Sequence, residues 1–148
     1  MMDSLKLISA DRKRVAPANQ RAISFMDFEV SGVSLYSELV SRSYDYVSCL
    51  GWVGAEYELE ARDRLMLKTP GEMSKGRVGL YVCPECVDPY CGAITTKIHE
   101  ENGEIIWSEL AYDNFMFEDP ELFQFIILDG LGPFRFNKLK YFTLFSEL

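Results

Sequence analysis

Alternation of apolar and polar positions is clearest in the second half of this chain. Residues 92–101 and 104–112 read as two strands either side of Asn102-Gly103, the dipeptide that best accepts the two positive φ values of a type I′ turn. A two-residue turn fixes the register. With Glu101 facing Glu104, Ile98 opposes Trp107 and Ile94 opposes Ala111. Ile94, Ile98, Ile105, Trp107 and Ala111 then share a core-facing side, and His99 lies on the other side with Lys97, Ser108 and Ile106.

The other segments are read in the same way. Residues 22–30 alternate with a break in phase near Met26, which predicts a strand with a bulge: Ile23 and Phe25 on one side, Met26, Phe28 and Val30 on the other. Ser31-Gly32 turns the chain, and Ser34 caps a helix carrying Leu35, Leu39 and Val40 to about Ser43. Residues 45–52 make a short strand or a buried connection before Gly51 and Gly54 take effect. Residues 55–65 fit two templates, helical through Tyr57, Ala61 and Leu65 or extended through Tyr57, Leu59 and Ala61. Residues 77–82 form a buried strand. Residues 122–128 are rich in strand formers, and a strand is favoured there although Asp119-Pro120 could open a helix. Asn137 caps a C-terminal helix burying Leu139, Phe142 and Phe145. The result is an α+β domain over 22–148, mainly antiparallel sheet with two or three helices, after an irregular basic arm over 1–21.

The 148 residues, 48% of them hydrophobic and 14% aromatic, suffice for a core without disulfides or a structural metal, so the cysteines are optional for folding. No apolar run is long enough to span a bilayer, and no signal core follows the N-terminus. A cytoplasmic protein with reduced thiols is expected, monomeric when free and without a cofactor.

The net charge of −8 is unevenly placed. Lys6, Arg12, Lys13, Arg14 and Arg21 make the start of the chain basic. From Glu100 to Pro133 there is no Lys or Arg, while Glu100, Glu101, Glu104, Glu109, Asp113, Glu118, Asp119, Glu121 and Asp129 all fall inside. Such a field repels nucleic acid and attracts basic partners. A solvated face and a docking surface for a basic protein both fit it. In the second reading Tyr112, Phe115, Met116 and Phe117, which lie among the acids, supply apolar anchors.

Candidate chemistry centres on Cys83-Pro84-Glu85-Cys86-Val87-Asp88-Pro89-Tyr90-Cys91. Cys83, Cys86 and Cys91 could give a zinc ion three ligands, but a structural site needs four. His99, the sole histidine, sits about eight residues down a strand, at roughly 3.3 Å each. Cys49 would have to come across the fold, and its apolar setting favours an inert packed thiol. Packing of the thiols is favoured over zinc. Glu85 and Asp88 disfavour a thiolate, and the motif does not open a helix, so redox chemistry is weakly supported. No phosphate loop is present, and Ser-His-Asp or Cys-His catalysis would hang on His99 alone.

The combination of Cys83-Pro84-Glu85-Cys86, Cys91-Gly92-Ala93-Ile94-Thr95, Asn102-Gly103-Glu104-Ile105-Ile106-Trp107 and Gly132-Pro133-Phe134-Arg135-Phe136 resembles a group of small bacterial proteins of uncharacterised role. These carry a cysteine-containing turn, a CGA-(I/L)-T strand and a V-W or I-W return strand. The resemblance covers the C-terminal half and implies no catalytic residues. In size, acidity and organisation the chain is also similar to cytoplasmic immunity proteins that neutralise bacterial toxin domains, including those of contact-dependent growth inhibition. That likeness implies a cognate basic toxin, such as a nuclease, as partner. The alternative is a zinc- or thiol-dependent protein centred on the cysteine knuckle.

Overall fold

The computed structural model describes residues 2–12, 22–84, 92–114, 121 and 123–148. These form an α+β domain of two antiparallel sheets and three helices. Strands β1 (Leu5–Arg12), β2 (Ile23–Val30) and β3 (Val33–Ser34) make the first sheet in that order. Helix α1 (Leu35–Ser41) follows directly, with the Ser34 hydroxyl accepting from the Ser37 amide at 3.1 Å as the cap chemistry requires. Helix α2 (Ala55–Leu65) settles the ambiguous segment in favour of helical spacing, burying Ala61 and Leu65 and leaving Tyr57 and Leu59 exposed.

The second sheet holds β4 (Val78–Val82), β5 (Ala93–Glu101), β6 (Glu104–Asp113) and β7 (Phe125–Ile127) in order. Strand β8 (Phe134–Asn137) pairs with the other end of β6 and runs into helix α3 (Lys138–Ser146). Asn102 and Gly103 take φ of 50° and 77°, and Glu101 faces Glu104 with Ile98 opposite Trp107. Beyond Lys97 the register slips by one residue at a bulge where Glu109 has φ 53°. Ile94 therefore opposes Tyr112, and Ala111 opposes Thr95.

The sheets and α3 close over aromatic rings. Phe28 on β2 meets Tyr81, Trp107 and Phe145 edge-on at 5.6, 5.4 and 6.4 Å, an arrangement that suits the ring quadrupoles. Trp107 donates its indole N–H to the Tyr141 hydroxyl, which donates in turn to the Leu65 carbonyl of α2.

Three expectations are corrected. Leu5–Arg12 is a strand rather than an irregular arm, paired residue for residue with β2 from Leu5↔Val30 to Arg12↔Ile23. Arg12 is buried and ion-paired to Asp45 at 2.9 Å. The strand exists because β2 offers it a ladder, a cause that a local reading does not contain. Strand β2 has no bulge: both its faces are covered, and the apparent phase break is the buried carboxylate of Asp27. On α3, Tyr141 and Phe145 are buried and Phe142 half-buried, while Leu139 is 77% exposed.

The buried tyrosines give the fold an alkaline limit. Burial pushes the Tyr81 and Tyr141 hydroxyls well above their ordinary range, and burial together with Asp45 does the same for Tyr36. A raised folded-state value means that the stabilisation is complete below the unfolded value of about 10 and is lost as pH rises past it. Urea midpoints should hold up to that pH and fall above it, with tyrosinate absorbance rising in the same step as unfolding. Tyrosines that all titrate near their unfolded value while the fold persists would contradict this.

Candidate docking surface

The described acidic residues of 100–121 are not spread over one open face. Glu100 and Glu101 lie exposed at the hairpin tip and Glu104 is half-exposed beside them. Each has a neighbour: Lys138 at 2.7 Å from Glu100, Arg135 at 3.0 Å from Glu104, and His99 at 3.6 Å from Glu101. Glu109 projects from the bulge and pairs with Lys97 at 2.5 Å, a contact that lowers its carboxyl below the usual range. Exposed pairs of this kind contribute little to stability. They do, however, offset much of the charge that the tip would present to a partner.

Asp113 does not belong to the surface, and Tyr112 is only half-exposed. Asp113 is fully buried, accepts from the Ser74 hydroxyl at 2.7 Å, and lies in the field of Arg77. Tyr112 stacks on Tyr44 at 5.4 Å and leans on Tyr46 at 6.2 Å. A Cβ placed on Gly92, which has φ +92°, would fall 2.5 Å from the Tyr112 hydroxyl, so glycine is required there for the stack to form. Both lie in the cation-free acidic stretch that suggests a contact surface, but packing across the sheet buries Asp113 and covers part of Tyr112. Glu118, Asp119, Phe115, Met116 and Phe117 lie outside the described residues.

The exposed apolar surface is elsewhere. Phe123, Phe125, Ile126 and Ile127 are 43%, 41%, 44% and 39% exposed, in a stretch bordered by the exposed residues Glu121 and Asp129. Strand β7 is held from one side by β6, through Ala111↔Ile127, Tyr112↔Ile126 and Asp113↔Phe125. Beneath it Arg77 is buried. Its guanidinium donates to the Thr95 hydroxyl at 2.8 Å, to the Thr95 carbonyl at 3.1 Å and to the Glu109 carbonyl, and stacks 4.9 Å from the Phe125 ring. Burial lowers the Arg77 pKa, while Asp113 and Glu109 act to raise it.

Of the knuckle, Cys83 is described and half-buried, whereas Cys86 and Cys91 lie outside the described residues. The antiparallel bridge Val47↔Val82 sets Tyr46 against Cys83, and Cys49 lies in the bend that follows it. Cys49 packs with Met73, Val82 and Ala93, and burial pushes its thiol up to about 11. Such burial disfavours the reactive thiolate, as expected of a packed thiol. Among the described residues no group of three or more His, Cys, Asp or Glu side chains converges as a metal would need.

A groove of about 380 Å³ runs between Met2–Lys6 and Phe136–Tyr141. Lys6 and Lys140 line it, but Asp3 is engaged by the Arg135 amide and the Ser31 hydroxyl, and Asn137 caps α3. No catalytic constellation forms there among the described residues. No helix is long and apolar enough to cross a membrane. Comparison of the chain with protein-family models, curated proteins and solved structures returned no match.

Proposed function

We propose that the protein is an immunity-type inhibitor. It binds a cognate bacterial toxin domain in the cytoplasm, a basic nuclease, and covers the cleft that would hold substrate phosphates. The observation that carries this reading is the exposed apolar strand Phe125–Ile127, set in a stretch from Glu100 to Pro133 that contains no cation. Apolar side chains supply the contact energy of an interface, and a surrounding acidic field speeds encounter with a basic partner and excludes nucleic acid. Glu121 and Asp129 border the strand, and Glu109 together with Glu100, Glu101 and Glu104 at the far end of β6 adds to the field. Lys97, Lys138, His99 and Arg135, which now pair with those last four, are exchanged for, or shared with, cations of the toxin. No residue is assigned a catalytic role.

The test is inhibition of the toxin encoded directly upstream. A one-to-one complex that abolishes the toxin's activity is expected, with an association rate that rises as ionic strength falls, since exposed charges are screened within about 10 Å at 0.1 M salt. Purified protein that neither binds nor inhibits that toxin refutes the reading.

A further inference from the structure

We propose that β7 is the recognition element and that it works by strand addition, pairing its outer edge with an extended basic segment of the partner. The inference rests on the preceding reading only in taking the partner to be basic. It starts from the direction of the backbone groups. In an antiparallel ladder, hydrogen-bonded and non-hydrogen-bonded pairs alternate. The Leu128 amide donates to the Leu110 carbonyl at 2.8 Å, and the Asn114 amide donates to the Gln124 carbonyl at 3.2 Å. Gln124, Ile126 and Leu128 therefore aim their backbone groups at β6, and Phe125 and Ile127 aim theirs away from it. No strand covers that outer edge among the described residues.

Other edges of the domain are protected. Val47 bridges to Val82 along β4, Asp3 bridges to Phe136 along β8, and β1 turns Lys6, Ser9 and Asp11 to solvent. Short, charged or covered edges are how sheets avoid unwanted pairing. Strand β7 is short, but Phe125, Ile126 and Ile127 bear neither charge nor proline and are all exposed. Its main-chain groups supply affinity and its side chains a contact surface, as strand addition requires.

Charge selects the occupant. A second copy of this chain, itself at −8, would lay Glu121 and Asp129 of both chains along one ladder, which like-charge repulsion opposes. A segment with apolar residues at its centre and basic residues at its flanks lays its apolar side chains beside Phe125 and Ile127 and meets those flanking carboxylates with opposite charge.

A short synthetic peptide of valines flanked by lysines is the probe, followed through the backbone amide resonances of the protein. Binding should perturb residues 123–128, weaken with added salt, and be absent for the same peptide with glutamate in place of lysine. Ile127→Pro removes an outward amide without touching the β6 ladder, and should weaken binding roughly tenfold or more, whereas Ile127→Ala should cost less. Should Ile127→Pro lower the thermal midpoint, a peptide N-methylated on alternate residues makes the same test from the other side, with the same expected loss. Perturbation elsewhere on the protein, equal binding of the glutamate peptide, or shifts at 125–127 that follow protein concentration alone would each overturn the proposal. Toxin inhibition that survives in Ile127→Pro removes the strand-addition mode and leaves the inhibitor reading standing.

Discussion

Asp27→Ala is expected to destabilise the fold by about 3–5 kcal/mol, a large share of the total stability of a domain this size. The carboxylate has no exposure. Its Oδ1 accepts from the Phe28 amide at 2.8 Å, the Tyr36 amide at 3.2 Å and the Tyr81 hydroxyl at 2.6 Å, and its Oδ2 accepts from the Ser34 hydroxyl at 2.5 Å. One side chain thus ties β2 to β4 and to the start of α1. Through Ser34 it also steadies the hydroxyl that caps that helix. Alanine leaves those donors without their acceptor in a place where water does not reach, and each such loss costs about 1–3 kcal/mol before relaxation. Asp27→Asn keeps the shape but turns an amide NH2 towards a donor, and should fall between the two. Tyr81→Phe removes one donor and should cost about 1–2 kcal/mol. Urea denaturation of the single and double variants gives the coupling between Asp27 and Tyr81, and an Asp27→Ala loss below about 1 kcal/mol would show that the cluster is not the tie described.

Asp27 also shows why some features were legible in the sequence and others were not. The β5–β6 turn was readable because Asn102 and Gly103 carry their positive φ values in their own chemistry. The caps Ser34 and Asn137 were readable for the same reason, since each accepts an amide three residues on. The break in alternation near Met26 was a true signal given the wrong cause. A strand covered on both faces can place an acid inside when donors arrive from elsewhere, here from Tyr81, 54 residues away. Strand β1 was missed for a related reason: its pairing with β2 is decided by the partner strand.

The surface was less legible than the fold. Nine carboxylates in a stretch without cations read as one acidic face, because the sequence shows neither which of them turn inward nor which meet cations from outside the stretch. Arg135, Lys138 and Lys97 all come from beyond it. Asp113 turned inward, and the ring of Tyr112 is half-covered by its stack on Tyr44. The apolar run 122–128 was read as a strand, and β7 formed within it. Its exposure depends on its place at the sheet edge, which alternation in one segment does not reveal. The acidic stretch keeps a part in the proposed interface as the field around an apolar strand, with less of the contact itself.

Arg77→Ala should remove about 3–4 kcal/mol and disturb both the bulge and β7. The guanidinium fills the kink where the β5–β6 register slips, and it takes up the Thr95 and Glu109 carbonyls that the slip leaves inside. Glu109 is held at φ 53°, an uncommon value for a residue other than glycine, with its carbonyl on Arg77 and its side chain on Lys97. Without the arginine, Asp113 stays buried after losing its cationic neighbour, and the loss of one member of a buried charge pair is usually costly. Arg77→Lys should recover less than half of the loss, since an ammonium lacks the planar fork that reaches the Thr95 hydroxyl and both carbonyls together. Phe125→Ala, which removes only the ring over the guanidinium, should cost about 1 kcal/mol. Chemical denaturation ranks the three variants, and amide shifts at residues 125–127 report whether β7 moves with Arg77. A lysine variant as stable as the parent would mean that charge alone suffices at this position. An alanine variant with unmoved β7 resonances would mean that the strand is seated by β6 alone, and the edge proposed for partner binding would then owe nothing to the buried arginine.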